Sequence, residues 1–181
     1  GKRYELPNPF FFFSSQNPIE QEGTYPLPEA QLDRFMFNVF LDYPSFEEEV
    51  LVVNNTTGDK IGKVKKVLEE NEIIFFQELI RKIPVHDNVL HYAVGLTAKT
   101  RPGSENKSAM INDYVAWGAG PRASQFLVIG AKCHAAINGK FSPDIEDVKA
   151  AAVPILRHRL VRNYKAEADG VSVEKIIDSI L

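Results

Sequence analysis

Four consecutive phenylalanines, Phe10 to Phe13, stand between a Pro-Asn-Pro turn signal and Ser14-Ser15. A short, unbroken apolar run of β-favouring residues between breakers predicts a strand buried on both faces. Strands of that kind belong to parallel sheets covered by helices, so this one reads as a central strand of an α/β core. Ligands gather at the carboxyl ends of such strands, which singles out the polar residues Ser15, Gln16, Asn17 and Pro18. An asparagine there either caps the turn before Pro18 or offers its amide to a ligand, since it can donate and accept at once.

The following 160 or so residues change character. Pro28 and Glu29 suit the first turn of a short helix reaching about Phe35, and Met36 to Leu41 reads as a second extended run ending at Asp42-Tyr43-Pro44. Ser45 with Glu48 forms a capping-box pattern opening a helix to about Val53, and Asn54 to Asp59 reads as a loop by composition. From about residue 60 the periodicity is helical. Apolar residues at 73, 76, 79, 80 and 83, and then at 89, 90, 93, 94 and 96, mark two helices. Gly103 to Asp113 reads as a polar, mobile stretch. Ala123 to Ile137 is amphipathic and closed by Asn138-Gly139. Ser142 is expected to cap the next helix, Pro154 to interrupt it with a fresh helix running through Arg157-His158-Arg159, and Ser172 to Leu181 to form a last short helix.

Composition excludes several classes. With 21 Lys+Arg against 24 Asp+Glu, the net charge of −3 gives no reason to expect nucleic acid or an anionic membrane. A single cysteine, Cys133, cannot form an internal disulfide and fits a reducing, cytoplasmic setting. No stretch approaches the ~18 apolar residues of a membrane span. The four histidines are scattered without zinc-ligand spacing, so no metal site is expected in this chain. The lysines at 60, 63, 65 and 66 lack the aromatic interleaving of a nucleic-acid footprint. The acidic run Glu47-Glu48-Glu49 reads as a solvated face.

The stretch Ser15-Gln16-Asn17-Pro18-Ile19-Glu20-Gln21-Glu22-Gly23-Thr24-Tyr25-Pro26-Leu27-Pro28-Glu29-Ala30-Gln31-Leu32-Asp33-Arg34-Phe35 resembles the MoxR-type AAA+ ATPases almost residue for residue. Thr100-Arg101-Pro102, Gly120-Pro121-Arg122-Ala123-Ser124, Asp147-Val148-Lys149 and Leu156-Arg157-His158-Arg159 agree in order, and Gly1 to Pro7 looks like the end of the hairpin before the sensor strand. The resemblance implies an α/β plus all-α chain: residues 1–60 as the end of a P-loop αβα core, and 61–181 as a helical lid. It implies that Asn17 is sensor 1, contacting the γ-phosphate and the attacking water. Arg34 becomes an arginine finger for the neighbouring subunit, and Arg122 a sensor 2 that binds the nucleotide of its own subunit. Without the resemblance, Arg34 reads as a local ion-pair partner of Asp33 or Glu29, and Arg122 as a solvated first-turn residue ill placed for the helix dipole. Family members often carry Ser where this chain has Gly120.

The phosphate-cradling Gly-x4-Gly-Lys-Ser/Thr signature has only a near match, Gly58-Asp59-Lys60-Ile61-Gly62-Lys63-Val64, one residue short and with valine in place of the hydroxyl. The P-loop and the Mg²⁺ ligands are therefore expected upstream of Gly1, which makes this chain the C-terminal part of a longer ATPase that is inactive alone. The implied cofactors are ATP and Mg²⁺. The implied assembly is a homo-oligomeric ring, a hexamer, that matures or loads metal into partner proteins, including those with a von Willebrand factor A domain. Two alternatives stand beside this reading: a non-catalytic module docking onto an AAA+ ring, and a magnesium-chelatase-like subunit.

Overall fold

The computed structural model describes residues 3–16, 27–58, 64–103 and 108–181. In chain order the elements are α1 (Glu29–Leu32), α2 (Phe46–Thr57), α3 (Glu70–Lys82), α4 (Asp87–Lys99), α5 (Ala109–Tyr114), β1 (Val115–Trp117), α6 (Pro121–Ile137), α7 (Ile145–Leu156), β2 (Val161–Arg162), α8 (Tyr164–Ala168) and α9 (Val173–Asp178). Among the described residues, the buried apolar side chains all lie between Val89 and Ile180. The molecule is mostly helical with one small sheet, as expected for the lid region of an AAA+ chain.

The antiparallel strands β1 and β2 pair Val115 with Arg162 and Trp117 with Val161, with an irregularity between. Two residues facing three are too short to leave a period in the sequence, and the ladder was not anticipated. Helices α6 and α7 form the centre, with α4 on both and α3 on α6, while α9 packs on α7. Their interface is built from small residues. A methyl group on Gly130 would stand 3.0 Å from the Ala151 Cβ and 3.1 Å from Ile155 Cδ1, so the two backbones approach closely and Leu127, Val148 and Ile155 are sealed behind them.

Local signals explain the helix ends. Ser45 and Glu48 make the reciprocal capping box, and Gly139 ends α6 at φ +73°. Three boundaries differ from expectation. Asn54 to Thr57 belong to α2, where the Thr56 and Thr57 hydroxyls are satisfied within the helix by the Val52 and Val53 carbonyls, 2.7 Å each. The cap of α7 is Asp144, in a capping box with Asp147, while the Ser142 hydroxyl donates to the Pro84 carbonyl at 3.2 Å. Helix α7 also continues through Pro154 to Leu156, and Arg157 to Arg159 form a turn rather than a new helix. Proline removes one donor, and the buried apolar face of Val148, Ala152 and Ile155 outweighs that loss. Of the polar stretch 103–113, residues 109–113 are helical, and 104–107 lie outside the described residues.

The largest correction concerns Phe10 to Phe13. They are not a buried strand: they carry no ladder, and their exposures run from 50 to 88%. A run apolar on both faces needs a layer on each, and no segment among the described residues runs beside it. Among the described residues only Phe12 meets a ring of the folded part, Phe35, at 5.4 Å. The second run likewise forms no strand. Val39, Phe40 and Leu41 are exposed, and a single backbone bond, from the Asn38 amide to the Pro154 carbonyl at 2.8 Å, ties it to α7.

The Asp147 carboxylate is fully enclosed. Asp147 accepts from the Asp144 amide at 2.8 Å, lies 2.7 Å from His134 Nδ1, and receives Lys140 Nζ at 3.1 Å. Burial works to raise its carboxyl, but these partners outweigh it and bring it down to about 2 from 3.8. A lowered carboxylate contributes stability that is present above the unfolded value and lost as pH falls toward the folded one. Urea unfolding should therefore lose about 2 kcal/mol between pH 4 and 2 through this group, and Asp147→Asn should flatten that segment of the profile. Two glycines should respond oppositely. A Cβ on Gly118 would fall 2.4 Å from the Thr100 carbonyl oxygen, whereas one on Gly95, inside α4, meets nothing within 4 Å. Thermal unfolding should show Gly118→Ala destabilised by at least about 1–3 kcal/mol and Gly95→Ala stabilised by about 0.5–1 kcal/mol.

Candidate active-site elements around Asp33

Helix α1 is a single turn that ends at Leu32, and the chain tightens behind it: the Arg34 amide donates to Gln31 O at 3.1 Å and that of Phe35 to Leu32 O at 3.0 Å. Neighbouring residues in such a turn cannot share a face. Asp33 is turned onto the lid helices and Arg34 is exposed.

The Asp33 carboxylate is held by two arginines from distant parts of the chain. Arg159, with a side chain only 1% exposed, donates Nε to Asp33 Oδ1 at 2.9 Å. Its Nη2 donates to the backbone carbonyls of Asp33 at 2.8 Å and Phe35 at 2.6 Å, and Nη1 to that of Ile155. The Phe126 ring covers the guanidinium at 5.0 Å. A buried guanidinium is tolerated only when its donors are met, and the turn after α1 supplies the acceptors. Burial draws the Arg159 pKa down while Asp33 raises it. His158 Nε2 lies 3.1 Å from the Phe35 carbonyl and 2.7 Å from Arg159 Nη1. Burial, and then the charge of Arg159, push this imidazole down to about 4, so it is neutral near pH 7.

The second arginine is Arg122. Its Nη1 stands 2.6 Å from Asp33 Oδ2, and its side chain is 43% exposed. It occupies the first turn of α6, whose N-cap, Gly120, brings no side-chain cap. The loop before it is fixed from α4. Thr100 Oγ1 accepts from the Ala119 amide at 2.9 Å and donates to Thr97 O at 2.6 Å. Arg101 Nε donates to Ala119 O at 2.9 Å, and Gly118 lets the two backbones touch. Thr100-Arg101 and Gly120-Pro121-Arg122, separate in sequence, are therefore one structural unit.

Of the three residues singled out from sequence, Asn17 lies outside the described residues. Arg34 and Arg122 flank the same carboxylate, Arg34 as its chain neighbour and Arg122 as its ion-pair partner. The Arg34 side chain has no hydrogen bond or ion pair among the described residues, and Asp33, its expected local partner, is engaged elsewhere. Arg122 is not simply solvated. In the sequence Asp33 and Arg159 are motif letters with no joint role, and nothing local distinguishes Arg159 from Arg157, which directly follows the apolar stretch Ala150 to Leu156. Among the described residues no three His, Cys, Asp or Glu side chains gather as a metal site. An anionic phosphate fits: Arg122 and the open N-terminus of the 17-residue α6 are both donors.

Two family models match the chain: the AAA lid domain over residues 107–180, and the ATPase family associated with various cellular activities (AAA) over residues 1–37. Chaperone MoxR1 of Mycobacterium tuberculosis is 36% identical over all of this chain, which corresponds to 48% of that protein. YeaC of Bacillus subtilis is 33% identical, again over the whole chain and 54% of its own length. The chain thus spans about half the length of the curated relatives it matches. The crystal structure of a candidate ATPase from Cytophaga hutchinsonii superposes with a TM-score of 0.90 at 38% identity, covering 98% of this chain and 54% of the other. The helical lid, the Leu32–Phe35 turn docked against it and these relatives agree from one end of the sequence to the other, and the chain belongs to the MoxR-type AAA+ ATPases.

Proposed function

We propose that this chain supplies the sensor, finger and lid portion of an ATPase that hydrolyses ATP at the interfaces of a homo-oligomeric ring, a hexamer, to drive chaperone-like maturation, assembly or metal insertion of partner proteins. In this reading residues 1–60 complete the α/β nucleotide core and 61–181 form the lid. The observation that carries the reading is the state of Arg34. It projects from a turn anchored on both sides of Asp33, yet its own guanidinium has no partner among the described residues. A planar, permanently charged donor held ready and unpaired suits a phosphate presented by another subunit.

Phosphoryl transfer asks the protein mainly for positioning and charge neutralisation. Arg34 would neutralise charge on the neighbour's γ-phosphate, Arg122 would grip the phosphates of its own subunit, and Asn17 would orient the attacking water. Mg²⁺ would supply further charge neutralisation at the phosphates, and its ligands would lie outside the described residues. Partners with a von Willebrand factor A domain and a cytoplasmic setting remain part of the proposal, resting on the family. Among the described residues no helix is long and apolar enough to cross a membrane.

In the full-length protein, Arg34→Ala should lower ATP turnover by about 10³-fold or more while leaving nucleotide affinity close to wild type; normal turnover would remove the finger assignment. Arg122→Ala should raise the Kd for ATP, and unchanged affinity together with unchanged turnover would remove the sensor-2 assignment.

A further inference from the structure

The two arginines on Asp33 are not equivalent, and their difference has a functional consequence. Arg159 is enclosed and makes further bonds to the carbonyls of Asp33, Phe35 and Ile155. It cannot leave without stranding a buried charge. Arg122 reaches Asp33 through one nitrogen, at 2.6 Å, and is 43% exposed. No other bond to its guanidinium occurs among the described residues, so it can swing away at the small cost of a surface ion pair. The charges also do not balance. One carboxylate faces two guanidiniums, with His158 neutral beside them, leaving an excess of one positive charge, next to Arg34. The N-terminus of α6, where Arg122 sits, adds further positive potential. An anion is what this arrangement lacks.

We propose that Asp33 is a positioning residue: fixed by Arg159, it holds Arg122 in the nucleotide-free state, and Arg122 exchanges Asp33 for a nucleotide phosphate when ATP binds its own subunit. Because Asp33 and Arg34 are consecutive residues of one turn, the exchange changes the charge beside the finger that serves the neighbouring subunit. Occupancy of one site is thereby reported toward the next. Phosphate wins the competition because it offers charge-assisted, bidentate acceptance, whereas Asp33 has one oxygen already committed to Arg159. This inference rests on the proposed roles of Arg34 and Arg122.

The test uses the full-length protein, a non-hydrolysable β,γ-imido analogue of ATP with Mg²⁺, and a double-mutant cycle on its Kd. Asp33→Asn releases Arg122 from competition and keeps an oxygen for Arg159, but it removes the carboxylate charge paired with that buried guanidinium. Thermal unfolding of D33N is therefore measured alongside, and the Kd is read at a temperature where the variant is folded. The exchange predicts that D33N binds the analogue about two- to fivefold more tightly than wild type, the inverse of an exposed ion pair's strength. It also predicts that the gain vanishes when D33N is combined with Arg122→Ala. A merely structural role for Asp33 would weaken binding instead. If R122A alone leaves the Kd unchanged, the sensor-2 reading itself fails. If R122A weakens binding but D33N does not tighten it, or tightens it equally in the R122A background, the exchange is overturned while the sensor-2 reading stands.

Discussion

A guanidinium taken out of water must find acceptors, and Arg159 finds them on a segment 126 residues away in sequence. That requirement organises the structure. Helix α7 ends at Leu156, the chain turns, and the side chain of Arg159 faces inward, where the carbonyls of Asp33 and Phe35 and the Asp33 carboxylate meet it. Without those acceptors the charge would be stranded, a loss of several kcal/mol for an unpaired buried ion. Docking of the turn that carries Arg34 is therefore tied to the folding of the lid. The segment's other attachments are the Arg122–Asp33 ion pair, His158 against the Phe35 carbonyl, the Asn38–Pro154 backbone bond, the Met36 methyl near Gly130, and Phe40 against Arg157.

The lid has its own internal discipline. Small residues let α6 and α7 touch, and the Asp144–Asp147 box with His134 and Lys140 fixes the start of α7. Thr100 and Arg101 fix the start of α6 through Ala119. These two helix ends determine where Arg122 and Arg159 stand, and so how they divide Asp33 between them: one oxygen permanently bound, the other held by a solvent-facing partner.

Helices were legible where a face repeats and an end is capped by a local residue. The periodic stretches around Ile73–Ile83 and Val89–Leu96, the Ser45–Glu48 box and the Asn138-Gly139 stop each rest on residues close together in the chain, so sequence carries them. Legibility failed where the outcome depends on distant groups. Pro154 reads as a breaker, and only packing of Val148, Ala152 and Ile155 shows that the helix survives it. Phe10 to Phe13 reads as buried, but burial is supplied by neighbouring layers, and none lies beside it among the described residues. Composition reads Asn54–Asp59 as a loop, whereas Asn54–Thr57 continue α2 with the threonine hydroxyls bonded one turn back. At the site, motif letters identified Arg34 and Arg122, yet the pairing of Asp33 with Arg122 and Arg159 joins residues 89 and 126 positions apart, which no spacing encodes.

The central claim, that Arg159 anchors the finger-bearing turn to the lid, is tested most directly by amide hydrogen exchange at Asn38, whose N–H donates to the Pro154 carbonyl only while the segment is docked. The account predicts a protected Asn38 amide in wild type. In Arg159→Met it predicts a greatly accelerated one, with the α6 amides of Leu127 and Ala131 still protected. An Asn38 amide that exchanges at the same rate in both proteins would contradict it.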